Sequence, residues 1–149
     1  MSNAPAIVAS EVTPGYAEMV ARAAALTPKL AARADEVEKT RMIHADTVRD
    51  LWDTQLWSAV KPKRYGGLEL DYGVFIDLSE HIARGCASTA WIFGNLLSHD
   101  WMLPMWNAHA QDEVWKDNPT ALIASSLVAT AGTAKPVTGG YEISGQWPY

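Results

Sequence analysis

Apolar residues recur at helical spacing from about residue 15 to residue 115. The first stripe advances in steps of three and four, the period of a helix that buries one face. Its members are Met19, Ala23, Leu26, Leu30, Ala34 and Val37. Thr27 and Pro28 interrupt this stripe with a possible N-cap followed by proline at a first helical position. The pattern therefore fits either one kinked helix or two abutting helices.

Four more helices follow from the same periodicity. We predict them over residues 45–56, 72–84, 88–106 and 108–115. The segment 61–67 contains a proline and a glycine pair, which favour a loop, and Gly85 is a plausible end for the helix over 72–84. The helix over 88–106 is the most apolar, so we predict it at the centre of a bundle.

The pattern changes after Asn118 and Pro119, where Leu122, Ile123 and residues 125–128 favour extended chain. The glycine pair at 139–140 precedes the alternation Tyr141, Ile143, Gly145 and Trp147, which predicts a β-hairpin. A lone hairpin is marginally stable in water, so we expect its partners beyond Tyr149 or in another chain.

These elements predict a mainly α fold in three parts. Residues 1–14 form a loose arm rich in alanine, serine and proline, and residues 15–118 form a helical domain. Residues 119–149 begin a β domain that is incomplete in this sequence.

Composition narrows the class of protein. Apolar residues make up 48% and charged residues 19%, which is typical of a globular chain. The net charge of −5 disfavours nucleic-acid binding, and the only tight basic group (Lys61, Lys63 and Arg64) is interpreted as a solvated loop. Cys86 is the only cysteine, which fits a reducing cytoplasm. No apolar run approaches the roughly 20 residues that cross a membrane.

Candidate chemistry lies on the helix over 88–106. Trp91, Asn95 and His99 are spaced four apart and lie within about 80° of one another on one face. One interpretation is a core helix whose polar groups are satisfied by neighbours. The other is a pocket wall, in which an indole supplies a flat apolar surface and an imidazole binds a phenolic oxygen.

Ser125 and Ser126 follow a short apolar segment and form the second candidate. Their hydroxyls can satisfy exposed backbone, or they can hold the polar edge of a ligand. A serine nucleophile is disfavoured because the Gly-x-Ser-x-Gly motif is absent. The sequence also lacks His-Glu-x-x-His, Gly-x-Gly-x-x-Gly and Walker motifs, so we predict no metal site and no nucleotide site of those kinds.

Several short runs together carry a resemblance to a known family. Tyr65-Gly66-Gly67-Leu68 resembles a signature of the acyl-CoA dehydrogenase fold. Other runs are similar to one branch of that superfamily, the oxygenase components of two-component, reduced-flavin-dependent aromatic hydroxylases such as p-hydroxyphenylacetate hydroxylase and secosteroid phenol hydroxylase. These runs are Cys86-Ala87-Ser88-Thr89-Ala90-Trp91, Ser98-His99-Asp100-Trp101, residues 110–115, Ile123-Ala124-Ser125-Ser126 and residues 139–147.

The resemblance implies a helical N-terminal domain, a central β domain and a C-terminal four-helix bundle in a tetramer, of which this sequence matches the first and the start of the second. It implies reduced FMN or FAD as cofactor, O2 and an aromatic, phenolic substrate, and a separate NAD(P)H:flavin reductase as partner. His99 matches the histidine that contacts the phenolic oxygen, Ser125 the serine at the substrate and flavin edge, and Trp91 an aromatic wall. Ser126 and Tyr149 match positions along the flavin ring.

Three alternatives remain open. A true acyl-CoA dehydrogenase shares the fold, although a histidine and serines suit a phenol better than a thioester. A chain of this length is also compatible with a helical interaction module or an inactive fragment.

Overall fold

A computed structural model describes residues 14–126 and 132–147. Its helices are α1 (Tyr16–Thr40), α2 (Ala45–Asp53), α3 (Gly73–Gly85), α4 (Ala87–Met102) and α5 (Ala108–Trp115), and its strands are β1 (Gly132–Val137) and β2 (Gly140–Gly145). The predicted mainly α fold is confirmed. Most of the predicted N-terminal arm, part of the predicted extended run over 125–128, and Tyr149 lie outside the described residues.

The first stripe forms one helix that continues through Pro28. Thr27 does not cap a second helix. Its hydroxyl instead donates a hydrogen bond to the carbonyl of His81 at 3.0 Å, which ties α1 to α3. Pro28 lies on an exposed position, where water can satisfy the carbonyl that proline leaves without a partner.

Helices α1 and α3 pack closely at Gly85. A Cβ atom on Gly85 would lie 2.6 Å from the carbonyl oxygen of Thr27 and 2.7 Å from the Cβ of Leu30. Only glycine fits this contact without moving one helix away from the other. The predicted helix end at Gly85 therefore coincides with a position where packing also requires glycine.

Helix α3, not α4, is the helix that packs extensively against two neighbours, α1 and α4. Its buried face comprises Val74, Leu78 and Ile82. The prediction of α4 at the centre was wrong because α4, despite its apolar composition, buries only one face. Phe93 and Leu97 are fully buried, whereas Trp91 on another face is 66% exposed.

Two helices end earlier than the periodicity predicts. Helix α2 stops at Asp53, and Gln55 adopts a left-handed conformation with φ of 61° before a 3₁₀ turn at Leu56–Ser58. Helix α4 stops at Met102, where Pro104 enters a 3₁₀ turn at Leu103–Met105. In both places the apolar pattern continues through the turn, so periodicity alone overestimates the helix length.

The conformation of the loop with the Tyr-Gly-Gly signature depends on its two glycines. Gly66 has a φ of +81°, and a Cβ on Gly67 would lie 2.0 Å from the carbonyl oxygen of Lys61. Tyr65 packs with Leu103 and Trp115 in a small second cluster, and its hydroxyl donates to Asp112 at 2.5 Å. The signature therefore joins this loop to α5.

The predicted hairpin is present, with a turn one residue earlier than the glycine pair indicates. Val137 pairs with Gly140, so the turn residues are Thr138 and Gly139, and Gly139 supplies the positive φ of +86°. Every residue of β2 is exposed, including Tyr141 and Ile143. Residues 121–126 form no strand in the described structure. Across the described ranges, every helix is too short or too polar to span a bilayer.

Candidate functional site

The predicted face of α4 is exposed. Trp91 is 66% exposed, and Asn95 and His99 are partly exposed, while the opposite face carries buried Phe93 and Leu97. Trp91 therefore lies outside the buried core of the described residues. A large indole in contact with solvent is available as the wall of a binding site.

The ring of His99 is oriented by its own helix. Its Nδ1 lies 2.6 Å from the carbonyl oxygen of Asn95, one turn earlier. A carbonyl oxygen only accepts hydrogen bonds, so Nδ1 carries the proton and donates. In the neutral imidazole, Nε2 is then the nitrogen with a free lone pair.

The second nitrogen of His99 meets the second candidate. Nε2 lies 2.5 Å from the Oγ of Ser125, which is 26 residues further along the chain. Because Nε2 of the neutral ring is an acceptor, the Ser125 hydroxyl donates in that state. The two candidates that were selected separately in the sequence are thus hydrogen-bonded partners.

A cleft of 760 Å³ lies beside this pair, between the end of α1 and the first half of α4. Trp91 and Asn95 line it, as does Ala124, the neighbour of Ser125. Most of the remaining lining is apolar, with Glu38 and Arg41 at its charged end. His99 and Ser125 are not lining residues of this cleft, but each lies next to it through Asn95 and Ala124.

Ser126 is exposed and adjoins the pair, whereas Tyr149 lies outside the described residues. The roles of both in flavin contact stay predictions. Ser125 and Ser126 are exposed polar residues on one short segment, and a serine hydroxyl can donate or accept a hydrogen bond.

Sequence reasoning missed a buried ion pair next to the site. Lys61 was assigned to a solvated loop, but it is 1% exposed, and its Nζ lies 3.3 Å from Oδ2 of Asp100, which is 0% exposed. Asp100 follows Phe93 and Leu97 at helical spacing, so its place on the buried stripe was visible in the sequence. Lys61 gave no such signal, because its partner is 39 residues away.

The environment of Asp100 disfavours its charge. Burial raises the pKa of this carboxyl to about 6, and the nearby Lys61 ammonium and His99 lower it only in part. Within the described residues, neither carboxylate oxygen has a well-directed hydrogen bond, although Lys61 is within ion-pair distance. The carboxyl group can therefore take up a proton in mildly acidic solution.

His44, His109 and Cys86 make local structural contacts. His44 Nδ1 accepts a hydrogen bond from the amide of Asp46 at the start of α2, and His109 lies 3.1 Å from Glu113 on the exposed face of α5. Cys86 is buried and accepts a hydrogen bond from Thr89. In the parts of the chain that the structure describes, histidine, cysteine and carboxylate side chains form no group that could hold a metal ion.

The chain is similar to known proteins over most of its length. The model of the acyl-CoA dehydrogenase N-terminal domain matches residues 6–116. The flavin-dependent monooxygenase oxygenase subunit HsaA of Mycobacterium tuberculosis is 34% identical over 122 residues, which are 82% of this chain and 31% of that protein. The oxygenase component of FADH(2)-dependent resorcinol hydroxylase from Rhizobium sp. is 31% identical over 149 residues, which are 100% of this chain and 36% of that protein.

A solved structure supports the same relationship. XiaF from Streptomyces sp., determined in complex with FADH2 and glycerol, aligns with a TM-score of 0.82 and 35% identity. The alignment covers 90% of this chain and 34% of XiaF. The chain thus spans about a third of the length of the relatives it matches.

Proposed function

Since this chain belongs to the family of the acyl-CoA dehydrogenase N-terminal domain, and its relatives include oxygenase components of flavin-dependent hydroxylases, we propose that it provides the substrate-binding helical part of such an oxygenase. The reaction is the hydroxylation of an aromatic, phenolic ring. His99 and Ser125 bind the phenolic oxygen, and Trp91 and Asn95 line the space for the ring.

The observation that carries this proposal is the fixed orientation of the His99 imidazole. Because Nδ1 donates to the carbonyl of Asn95, Nε2 carries the lone pair that can accept the proton of a phenol when the Ser125 hydroxyl turns away. The Ser125 hydroxyl, 2.5 Å from the same nitrogen, can turn to donate to the phenolic oxygen. Moving the proton from the phenol to Nε2 leaves a phenolate, which makes the ring carbons more electron-rich.

The residues present fit a flavin at the same segment. Ser125 and Ser126 are exposed polar residues, and the indole of Trp91 is an exposed flat group on α4. Reduced flavin, when bound, supplies the electrons with which O2 gives one atom to the ring. The cofactor is reduced FMN or FAD. The FADH2 named for the resorcinol hydroxylase and for XiaF supports FAD.

The proposal extends to partners and location. A separate NAD(P)H:flavin reductase supplies the reduced cofactor, and the working protein is a homotetramer in the cytoplasm. The free, buried Cys86 is compatible with a reducing compartment. The proposed domain boundaries lie between residues 14 and 15 and between residues 118 and 119.

Oxidation of an acyl-CoA is the competing reaction within this family. A thioester offers no acidic hydroxyl to the lone pair of His99 Nε2, whereas a phenol does. The pairing of His99 with Ser125 therefore favours the hydroxylase.

The test uses the protein expressed from its complete reading frame. It is mixed with reduced FAD or FMN and ¹⁸O2 in the presence of a panel of simple phenols, and an acyl-CoA with an electron acceptor forms a parallel arm. We expect one ¹⁸O atom in the ring of a phenolic product. Oxidation of the acyl-CoA, or flavin oxidation that yields only hydrogen peroxide with every phenol, would overturn the proposal.

A further inference from the structure

Lys61 makes contacts that are unusual for a loop lysine. It is 1% exposed, and its Nζ donates to the carbonyl of Pro119 at 2.8 Å and lies 3.5 Å from the carbonyl of Ala121. The same ammonium is 3.3 Å from Oδ2 of Asp100 and 5.2 Å from the centre of the Trp115 ring. One buried cation thus holds main chain, a carboxylate and an aromatic face together.

These contacts connect the two chain segments that form the His99–Ser125 hydrogen bond. Asp100 directly follows His99 in α4, and Ala121 lies four residues before Ser125. Trp115 supports the same point, since its Nε1 donates to the carbonyl of Ala121 at 3.2 Å. Lys61 therefore lies where α4 and the segment 119–125 are joined.

The energetics argue that this cation is retained for geometry. Removing a charged ammonium and a carboxylate from water costs several kcal/mol for each ion, and apolar side chains of similar volume often fill such space at no loss of stability. The surrounding loop also fixes the main chain of Lys61. Gly67 packs directly on the main chain of Lys61, and the amide of Glu69 donates to the Lys61 carbonyl at 3.0 Å.

We propose that Lys61 is a positioning residue: its ammonium, paired with Asp100, holds the segment 119–125 against α4 so that the Ser125 hydroxyl reaches Nε2 of His99. Lys61 itself does not contact the substrate. The catalytic consequence rests on the proposed function, whereas the effect on the His99–Ser125 hydrogen bond does not.

The decisive variant replaces both charges at once. Lys61→Met alone leaves Asp100 buried without its partner and is expected to destabilise the fold. The double variant Lys61→Met/Asp100→Leu removes both buried charges together and is expected to lose less stability than Lys61→Met alone. Lys63→Met is the matched control, because Lys63 is exposed two residues away.

The first readout is the ¹⁵N signal of His99 Nε2, assigned among the four histidines with a His99→Gln variant. In the folded double variant we expect this signal to move toward that of a free imidazole, while Lys63→Met leaves it unchanged. A folded double variant that keeps the wild-type Nε2 signal would overturn the proposal. This readout needs no enzymatic activity, so its failure is distinct from failure of the proposed function.

A second readout uses the wild-type protein and so does not depend on the folding of any variant. A buried ammonium that donates to two carbonyls exchanges its protons slowly, so we expect a resolved ¹H–¹⁵N signal for Lys61 Nζ and none for Lys63. If the ammonium protons of Lys61 exchange as fast as those of Lys63, the proposed positioning role of Lys61 is refuted.

The catalytic readout is the fraction of reduced flavin that yields hydroxylated product. A displacement of about 1 Å at a reacting group can cost on the order of 10²-fold in rate. We expect at least about a tenfold loss of product per flavin in the double variant, with flavin oxidation continuing and KM for the phenol little changed. Unchanged product yield together with an altered Nε2 signal would contradict the catalytic part alone.

Discussion

The Nε2 atom of His99 and the Oγ atom of Ser125 lie 2.5 Å apart, although 26 residues separate them in the chain. Helix α4 supplies the imidazole, and the segment after α5 supplies the hydroxyl. The carbonyl of Asn95 holds the other ring nitrogen at 2.6 Å. A histidine restrained on both sides loses little freedom when it binds a ligand, which favours a precise role for it.

Replacing His99 tests the proton acceptor. His99→Ala removes the only proposed base for the phenol, and we expect hydroxylation to fall about 10²-fold, the lower end of what general acid–base groups contribute. Flavin oxidation should continue, with hydrogen peroxide replacing product. The control is His109→Ala, since His109 is an exposed residue of α5. Hydroxylation at the normal rate in His99→Ala would contradict the assignment.

Replacing Ser125 separates orientation of the ring from proton transfer. Ser125→Ala deletes the hydroxyl at Nε2 but leaves the bond from Nδ1 to Asn95 intact. We therefore expect more peroxide per flavin oxidised, while ¹⁵N spectra still show the proton of His99 on Nδ1. Unchanged coupling of flavin oxidation to hydroxylation would show that Ser125 does not position the substrate.

Two glycines offer a matched test of helix packing. Gly85→Ala places a Cβ 2.6 Å from the carbonyl of Thr27, and we expect a loss of about 1–3 kcal/mol in the free energy of unfolding. In Gly94→Ala the new Cβ would meet Phe75 and Ser79 at 3.6 Å, which is ordinary contact. That change should be neutral or stabilise α4 by up to about 1 kcal/mol. Urea denaturation of both variants measures the difference, and equal stabilities would contradict the close contact between α1 and α3.

Asp100 should make the fold more stable as the pH falls. Burial raises its pKa from 3.8 to about 6 in the folded protein, so the folded state binds a proton more tightly than the unfolded chain. This contribution grows as the pH falls from about 6 to about 4 and amounts to about 3 kcal/mol. Asp100→Asn removes it. Urea denaturation of both proteins at several pH values tests this. An identical pH dependence for both would contradict the raised pKa of Asp100.

Asp50 should show the opposite dependence. Its hydrogen bond from Arg33, at 2.7 Å, lowers the pKa of this carboxyl, and Lys29 adds to the effect. The stabilisation is present above the ordinary pKa of 3.8 and is lost as the pH falls through the lower folded value. We expect Asp50→Asn to cost about 0.5–1 kcal/mol near neutral pH, because solvent screens this partly exposed pair. The difference from wild type should vanish in strong acid, and a difference that persisted there would contradict the ion pair between α1 and α2.

Much of the fold could be predicted from the sequence because its helices are long and strongly periodic. The start of α2 and both ends of α5 agree with the periodicity to the residue. The ends of α2 at Asp53 and of α4 at Met102 were missed because the backbone turns at Gln55 and Pro104 while the apolar pattern continues. The resemblance to reduced-flavin-dependent hydroxylases is confirmed by the family match and by the relatives.

The site was predictable where chemistry and periodicity coincide. His99 and Trp91 share a helix face that four-residue spacing reveals, and the structure brings His99 to Ser125. Lys61 was misplaced because local sequence cannot show a partner that is 39 residues away. In the sequence, buried Lys61 cannot be distinguished from its exposed neighbours Lys63 and Arg64.

The ribbon formed by β1 and β2 bears on how the protein is handled. Both strands are exposed along nearly their whole length, and each has only one strand partner within the described ranges. The edges of this ribbon present backbone N–H and C=O groups beside exposed Tyr141 and Ile143, which favours strand pairing between molecules. Samples of the chain in this form should therefore be kept dilute and checked by light scattering, because concentrated stocks are expected to precipitate through this ribbon.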